Sequence, residues 1–320
     1  MRKTMKISAK ILLPVLLVPA IVFSIYAFNR SEPSEGMAAE SAEPFVPSEE
    51  FDNYWYQGKG ELNGYELEQA RYGELHTGNA VLVFVTEDFS TQELTKADGK
   101  NGPNVPVLKV NFDKKFLTGI YPYSMIMTVA SPVDINRYPR PLKVATSSQE
   151  WCGHTYTQFN LRGKEYEFTE HSYFPGEGDQ EERMKAVMLE DEIWTKIRIA
   201  PGKLPTGEVE LIPGTFYLRL RHQQAVPEKA TASLQKGAGG EMVYSLKYAS
   251  GRRLEITVES KSPHKILGWE EAYITGWGDS STELVTKARL KKTTLLDYWS
   301  RNGKDDRKLR ESIGMDPECL

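Results

Sequence analysis

The sequence predicts a mainly β protein with one or two helices, a curved antiparallel sheet (half-barrel-like) packed on a helix. Three observations predict it. From Phe51 to about Lys292, apolar and polar residues alternate with period two between turn residues, the mark of strands. One segment alone carries a long helical period. The chain also holds 16 Tyr, 12 Phe and 6 Trp, residue types that favour sheets and extended binding surfaces.

In chain order, Arg2, Lys3, Lys6 and Lys10 precede an uncharged apolar run from Ile11 to Phe28. Residues 1–28 therefore read as a signal peptide or an N-terminal membrane anchor, the run being about 18 residues long, at the border between the two. Basic residues before the run, with Glu32 and Glu35 after it, place the chain start in the cytoplasm and the rest outside. The expected location is periplasmic or extracytoplasmic, with anchoring in the inner membrane if the segment is retained. Residues 29–49, rich in Ser, Glu, Pro and Ala, read as a flexible linker. Residues 50–320 read as a single exported β-rich domain.

Within that domain, strands are expected at 61–75, 79–86, 105–112, 122–130, 142–150, 241–248, 265–274 and 282–292. "NAVLVFVT" (79–86) is apolar on both faces, which predicts a central, doubly covered strand. In "FYLRLRHQ", Phe216, Leu218 and Leu220 alternate with Tyr217, Arg219 and Arg221, which predicts a further strand. "RRLEITVES" repeats the pattern through Leu254, Ile256 and Val258. Asp179 and Glu182 resemble a capping pair ahead of Met184, Val187, Met188, Ile193, Trp194 and Ile197, which predicts a helix that Pro201 ends. A shorter helix is expected near Thr294.

Charge is nearly balanced, 40 Lys+Arg against 44 Asp+Glu, which gives no electrostatic basis for a nucleic-acid partner. The two cysteines, Cys152 and Cys319, allow at most one bridge and no disulfide framework. No Gly-x-Ser-x-Gly elbow, His-Glu-x-x-His helix or dinucleotide fingerprint occurs.

The richest chemistry lies in "EWCGHTYTQFNLRGKEYEFTEHSYF" (150–174). Its "WCGH" lacks the second cysteine of a thioredoxin site, and the residues that follow alternate as a strand rather than starting a helix. A two-residue turn at Arg162-Gly163 would pair Leu161 with Lys164 and His154 with His171. Alternation then gathers Cys152, His154, Tyr156, Glu167, His171 and Tyr173 on one face, with Trp151, Phe159, Leu161, Tyr166, Phe168 and Phe174 on the core face. Two readings stand for the first face. One is a plain polar sheet face. The other is a site in which Cys152, His154 and His171 bind zinc or copper, or a histidine activates the Cys152 thiol. Tyr156, Arg219 and Arg221 are the candidate ligand-binding residues, the arginines being suited to a carboxylate or anionic headgroup.

The stretches "YWYQGKGELNGYELEQARYGELHTGNAVLVFVTEDF", "PVLKVNFDKKFLTGIYPYSMI", "SSQEWCGHTYTQFN" and "LPTGEVELIPGTFYLRLRH" resemble an uncharacterised family of exported bacterial β-rich proteins. Some relatives carry the label septum formation inhibitor Maf, but the Ser-x-Ser-Pro-Arg-Arg stretch of Maf-type pyrophosphatases is absent here. The closing pattern "RRLEITVESKSPHKILGWEEAY … STELVTKARLKKTTLLDYW" also resembles, at the level of fold, the LolA-like half-barrel carriers of lipids and lipoproteins. That likeness implies a non-enzymatic module binding a hydrophobic or lipid-like ligand, without a cofactor, in a concave aromatic face. Expected partners are the cell membrane, through the N-terminal segment, and a lipid or envelope protein. A metal- or thiol-dependent enzyme and a structural interaction module are the alternatives.

Overall fold

The computed structural model describes residues 42–97, 102–276, 278 and 281–316. The apolar run at 11–28, most of the linker and Cys319 lie outside the described residues. The chain divides into two units, Met1–Glu35 and Gly36–Leu320, and all described residues belong to the second.

A short helix, α1 (Glu49–Trp55), capped by the Ser48 hydroxyl, leads into a single mainly antiparallel sheet. The first half is a meander of eight strands: β1 (Gly60–Arg71), β2 (Glu74–Ser90), β3 (Asn104–Thr118), β4 (Tyr121–Pro132), β5 (Lys143–Glu150), β6 (Gly153–Arg162), β7 (Glu165–Ser172) and β8 (Gln180–Lys185). After the two-residue β9 (Met188–Leu189), the chain forms a 3-10 turn (Glu190–Glu192) and α2 (Ile193–Ile199). It then forms β10 (Gly207–Ile212) and α3 (Thr215–Arg221). It returns through β11 (Glu228–Lys236), β12 (Met242–Tyr248), β13 (Arg253–Val258), β14 (Ile266–Thr275) and β15 (Thr282–Leu296). The spatial order is β8-β7-β6-β5-β4-β3-β2-β1-β15-β14-β13-β12-β11-β10-β9, so β1 is central. The outermost strands β8 and β9 are joined by Ala186 and Val187 alone, so the sheet curls until its edges nearly meet, without closing into a ladder.

A fifteen-stranded curl encloses more space than inward side chains alone fill, because barrel width grows with strand number. The segment between β9 and β11 supplies the filling. Phe112 of β3 meets Trp194 of α2, Phe216 of α3 and Trp269 of β14, each at a ring separation of 5.1 Å and near edge-to-face. Trp194 and Trp269 also meet at 5.3 Å. Such rings are the main source of burial free energy, at roughly 1.5–3 kcal/mol per large side chain. On the outer side, a 3-10 segment (Lys304–Ile313) crosses β1 at Gly64. A Cβ there would lie 1.8 Å from the Ile313 carbonyl oxygen, so only glycine admits this crossing.

The mainly β class, the curved antiparallel sheet and helix packing on one face are as the alternation predicts, and eight of the strands lie within a few residues of the expected spans. Four local expectations are corrected. Residues 180–185 are a charged edge strand pairing with β7, and α2 begins only at Ile193. The helical spacing of Met184 and Val187 is overridden by the need to pair the open side of β7. Residues 215–221 are helical, with Phe216 to Leu220 all buried. Seven residues surrounded by sheet show no polar face, so period two there arose by chance. Residues 294–296 extend β15, and only a 3-10 turn (Tyr298–Ser300) follows. In β2, Ala80, Leu82 and Phe84 are fully buried while Val81 and Val83 are half-buried, so the strand is covered completely on one face only.

Candidate functional site

The β6–β7 hairpin turns at Gly163-Lys164, with Gly163 at φ +62°, and Arg162 opposite Glu165. His171 therefore faces Tyr156 rather than His154, a slip of two residues from the expected register. A slip of two preserves faces. His154, Tyr156 and His171 do share the outer face, and Phe159, Leu161, Tyr166 and Phe168 are buried on the inner one. Trp151 is instead 65% exposed, because it sits in the β5–β6 turn and not in a strand.

The structure does not join Cys152 to the histidines. Cys152 is exposed in the same turn. Its backbone N–H donates to the Tyr121 hydroxyl at 2.5 Å, and that hydroxyl donates to Glu150 at 2.9 Å. His171 faces Asp179 at 3.3 Å, both well exposed. Among the described residues, no three His, Cys, Asp or Glu side chains gather in a way that could hold a metal ion. The outer face does form an open hollow of about 410 Å³, lined by Ser147, Gln149, His154, Tyr156, His171, Tyr173 and Asp179 among others.

The two arginines of α3 separate. Arg219 is buried and ion-pairs with Glu150 at the end of β5, with Glu177 of the β7–β8 loop 3.8 Å away. His222 Nδ1 lies 2.6 Å from Glu177, and Phe174 stacks its ring 4.0 Å from the Arg219 guanidinium. Arg219 thus grips carboxylates of its own chain and fastens α3 to the rim. Arg221 is half-buried at the helix end. Beside this cluster, burial and then the Glu177 charge push the Glu170 carboxyl up to about 7.

Sequence reasoning missed the charges inside the curl. Arg198 of α2 makes a two-pronged contact with Glu61 of β1, at 2.7 and 2.9 Å. Arg252 holds Glu190 at 2.6 Å through two bonds and Glu271 at 2.6 and 3.0 Å. Arg198 therefore ties α2 to β1, and Arg252 ties the 3-10 turn ahead of α2 to Glu271 of β14, through buried arginine–carboxylate pairs. Between the Arg252 cluster and the aromatic core lies a cavity of about 20 Å³, bordered by Lys114, Asp191, Phe112, Trp194, Phe216 and Trp269. That is room for about one water. Burial first, then Glu190, pushes the Asp191 carboxyl up to about 7, and burial lowers the Lys114 amine to about 8. This cavity is too small for an acyl chain.

No known family, curated protein or solved structure matches the chain.

The apolar surface lies instead at one rim. Strand directions bring the β1–β2, β3–β4, β5–β6, β7–β8 and β14–β15 connections, and the loop before β11, to the same end of the sheet. That end carries Tyr72 and Leu75, Leu117 and Ile120, Trp151, Tyr173, Val226 and Ile274, all exposed, with Ile120 at 83% and Tyr173 at 75%. The opposite end, where the described chain begins, carries Val46, Tyr56 and Trp299. The signal for this rim was in the sequence as large apolar residues beside turn glycines: Tyr72-Gly73, Gly119-Ile120, and Trp151 two before Gly153. Turn glycines mark solvated tips, where a large apolar side chain keeps much of its surface in water.

Proposed function

We propose that the protein is an extracytoplasmic, non-enzymatic binding module that engages lipid through its apolar rim, and that the N-terminal segment keeps it near a membrane. The observation that carries the reading is the row of exposed Leu, Ile, Val, Tyr and Trp side chains on successive hairpin tips of one rim. Isolated exposed apolar residues are ordinary, but a series on one edge is what an interaction surface presents. The mixture suits a bilayer surface. Aliphatic side chains enter the acyl region, while Tyr and Trp place an apolar body and a polar tip at headgroup level. The basic-then-apolar leader supports the same setting.

The test is flotation of residues 42–320, which contain the whole sheet and its core, with vesicles of zwitterionic phospholipid. Leu117 is 55% exposed and Ile120 83%, so L117D/I120D removes two insertion points without touching the core. At roughly 1.5–3 kcal/mol for each buried side chain, losing two should weaken binding at least about 100-fold. Equal flotation of variant and wild type, or no flotation of either, overturns the reading.

A further inference from the structure

The hollow on the outer face of β5–β7 has a chemistry different from the rim. Its Tyr173 is 75% exposed, yet its place is fixed. The ring lies against Gly153, where a Cβ would come within 2.6 Å of it, and the Tyr173 N–H donates to the His154 carbonyl at 3.3 Å. Phe174 abuts the Tyr173 ring edge-on at 6.0 Å, lies under the Arg219 guanidinium and meets His222 edge-on at 5.1 Å. Across the hollow, the Tyr156 hydroxyl donates to Gln158 at 2.7 Å, which holds a second aromatic ring at the surface. Around them stand Ser147, Gln149 and His154, groups that both donate and accept hydrogen bonds and carry no fixed charge. The one carboxylate of the lining, Asp179, faces His171.

Aromatic rings held in place while exposed, bordered by neutral two-way hydrogen-bonding groups, match a ligand with an apolar ring face and a periphery of hydroxyls. The side chains are set before any ligand arrives, so binding costs little ordering. The hollow is open to solvent rather than enclosed, which suits one stretch of a longer chain better than a sequestered small molecule.

We propose that this hollow is a carbohydrate site that takes one or two rings of a neutral polysaccharide, stacked on Tyr156 and Tyr173 and hydrogen-bonded by Gln149, His154 and Ser147. The inference goes beyond the rim reading and stands without it. Tyr173 belongs to both surfaces, so the test rests on Tyr156 and Gln149, which lie outside the rim.

Residues 42–320 are screened against a printed panel of neutral poly- and oligosaccharides, including N-acetylglucosamine tetramers and hexamers. The strongest binder is then titrated by calorimetry. Y156A should weaken binding at least tenfold and Q149A about threefold, while Y156F, which keeps the ring and loses only its bond to Gln158, should stay within about threefold of wild type. Vesicle flotation of Y156A and Q149A should be unchanged, which separates this site from the rim. Far-ultraviolet circular dichroism checks that each variant is folded, and Q149A serves where Y156A is not. The proposal fails if no panel member binds, or if Y156A and Q149A bind as tightly as wild type. It also fails if the protein binds zinc through His154 and His171 and no glycan.

Discussion

Replacing Arg198 with methionine probes the pair that fastens α2 to the centre of the sheet. Both side chains of the Arg198–Glu61 pair are wholly buried. The guanidinium also donates to the Pro263 carbonyl at 2.9 Å and lies over the rings of Trp55 and Phe84, at 4.9 and 4.6 Å. Methionine fills similar volume, so the substitution chiefly leaves the Glu61 carboxylate to Tyr54 and Asn63. Removing one partner of a buried ion pair costs about 3–5 kcal/mol. For a domain of this size, that lowers the thermal midpoint by roughly 10 °C.

The pH dependence distinguishes charge from packing. Burial pushes the Glu61 carboxyl up, but the Arg198 charge and the bonds from Arg198, Tyr54 and Asn63 outweigh it and hold it below its ordinary 4.5. A carboxyl depressed on folding contributes stability above its unfolded value and loses it as pH falls through the folded one. The gap between wild type and R198M should be full at pH 7 and should narrow below pH 4.5. Thermal unfolding of residues 42–320 from pH 7 to pH 3 measures it. Adding E61Q to R198M should recover at least half of the loss, because no unpaired charge then remains. A gap equal at pH 7 and pH 3, or a double variant no more stable than the single, would refute the electrostatic account and leave lost ring contacts as the cause.

The small interior cavity yields two opposite profiles. Asp191 accepts the Thr215 N–H at the start of α3, and burial raises its carboxyl to about 7. Its contribution to stability is therefore complete below about pH 4 and lost as pH rises to 7. D191N keeps the acceptor and should remove this loss, standing ~2–4 kcal/mol above wild type at pH 8 in urea titrations. Lys114 makes no ion pair among the described residues, and burial lowers its amine to about 8, so it contributes least when charged, below that pH. K114M should raise the thermal midpoint at pH 6.5 and have little effect at pH 9.5. A fall at both would show that the amine is bound to a partner.

Strands were legible where one face is buried and the other wet. β13 alternates cleanly through Leu254, Ile256 and Val258, and the span of β12 follows from Tyr244, Leu246 and Tyr248. The pattern failed where an element is buried all round or hardly at all. α3 lies inside the curl and has no polar face to set its period, while β8 lies at an edge with mostly exposed charges and no apolar face. The shared face of His154 and His171 followed from alternation, but the register rested on which pair of residues makes the turn, and one glycine does not settle that. The buried pairs were not legible, because Glu61 and Arg198 are far apart in the chain and each looks like an ordinary surface charge.

The central position of β1 has a consequence for how the chain is made. Its partner on one side, β2, follows directly, and the eight-strand meander can assemble as it emerges. Its partner on the other side is β15, with Gly60 opposite Leu296. Until β15 has been synthesised, the middle strand of the finished sheet is an exposed edge carrying Tyr65 and Leu67, which end up fully buried. Non-local pairing of this kind is slow, and a long apolar edge left waiting recruits other chains. A chain stopped after β14 should therefore collect as aggregate rather than as a slightly weaker version of the same protein.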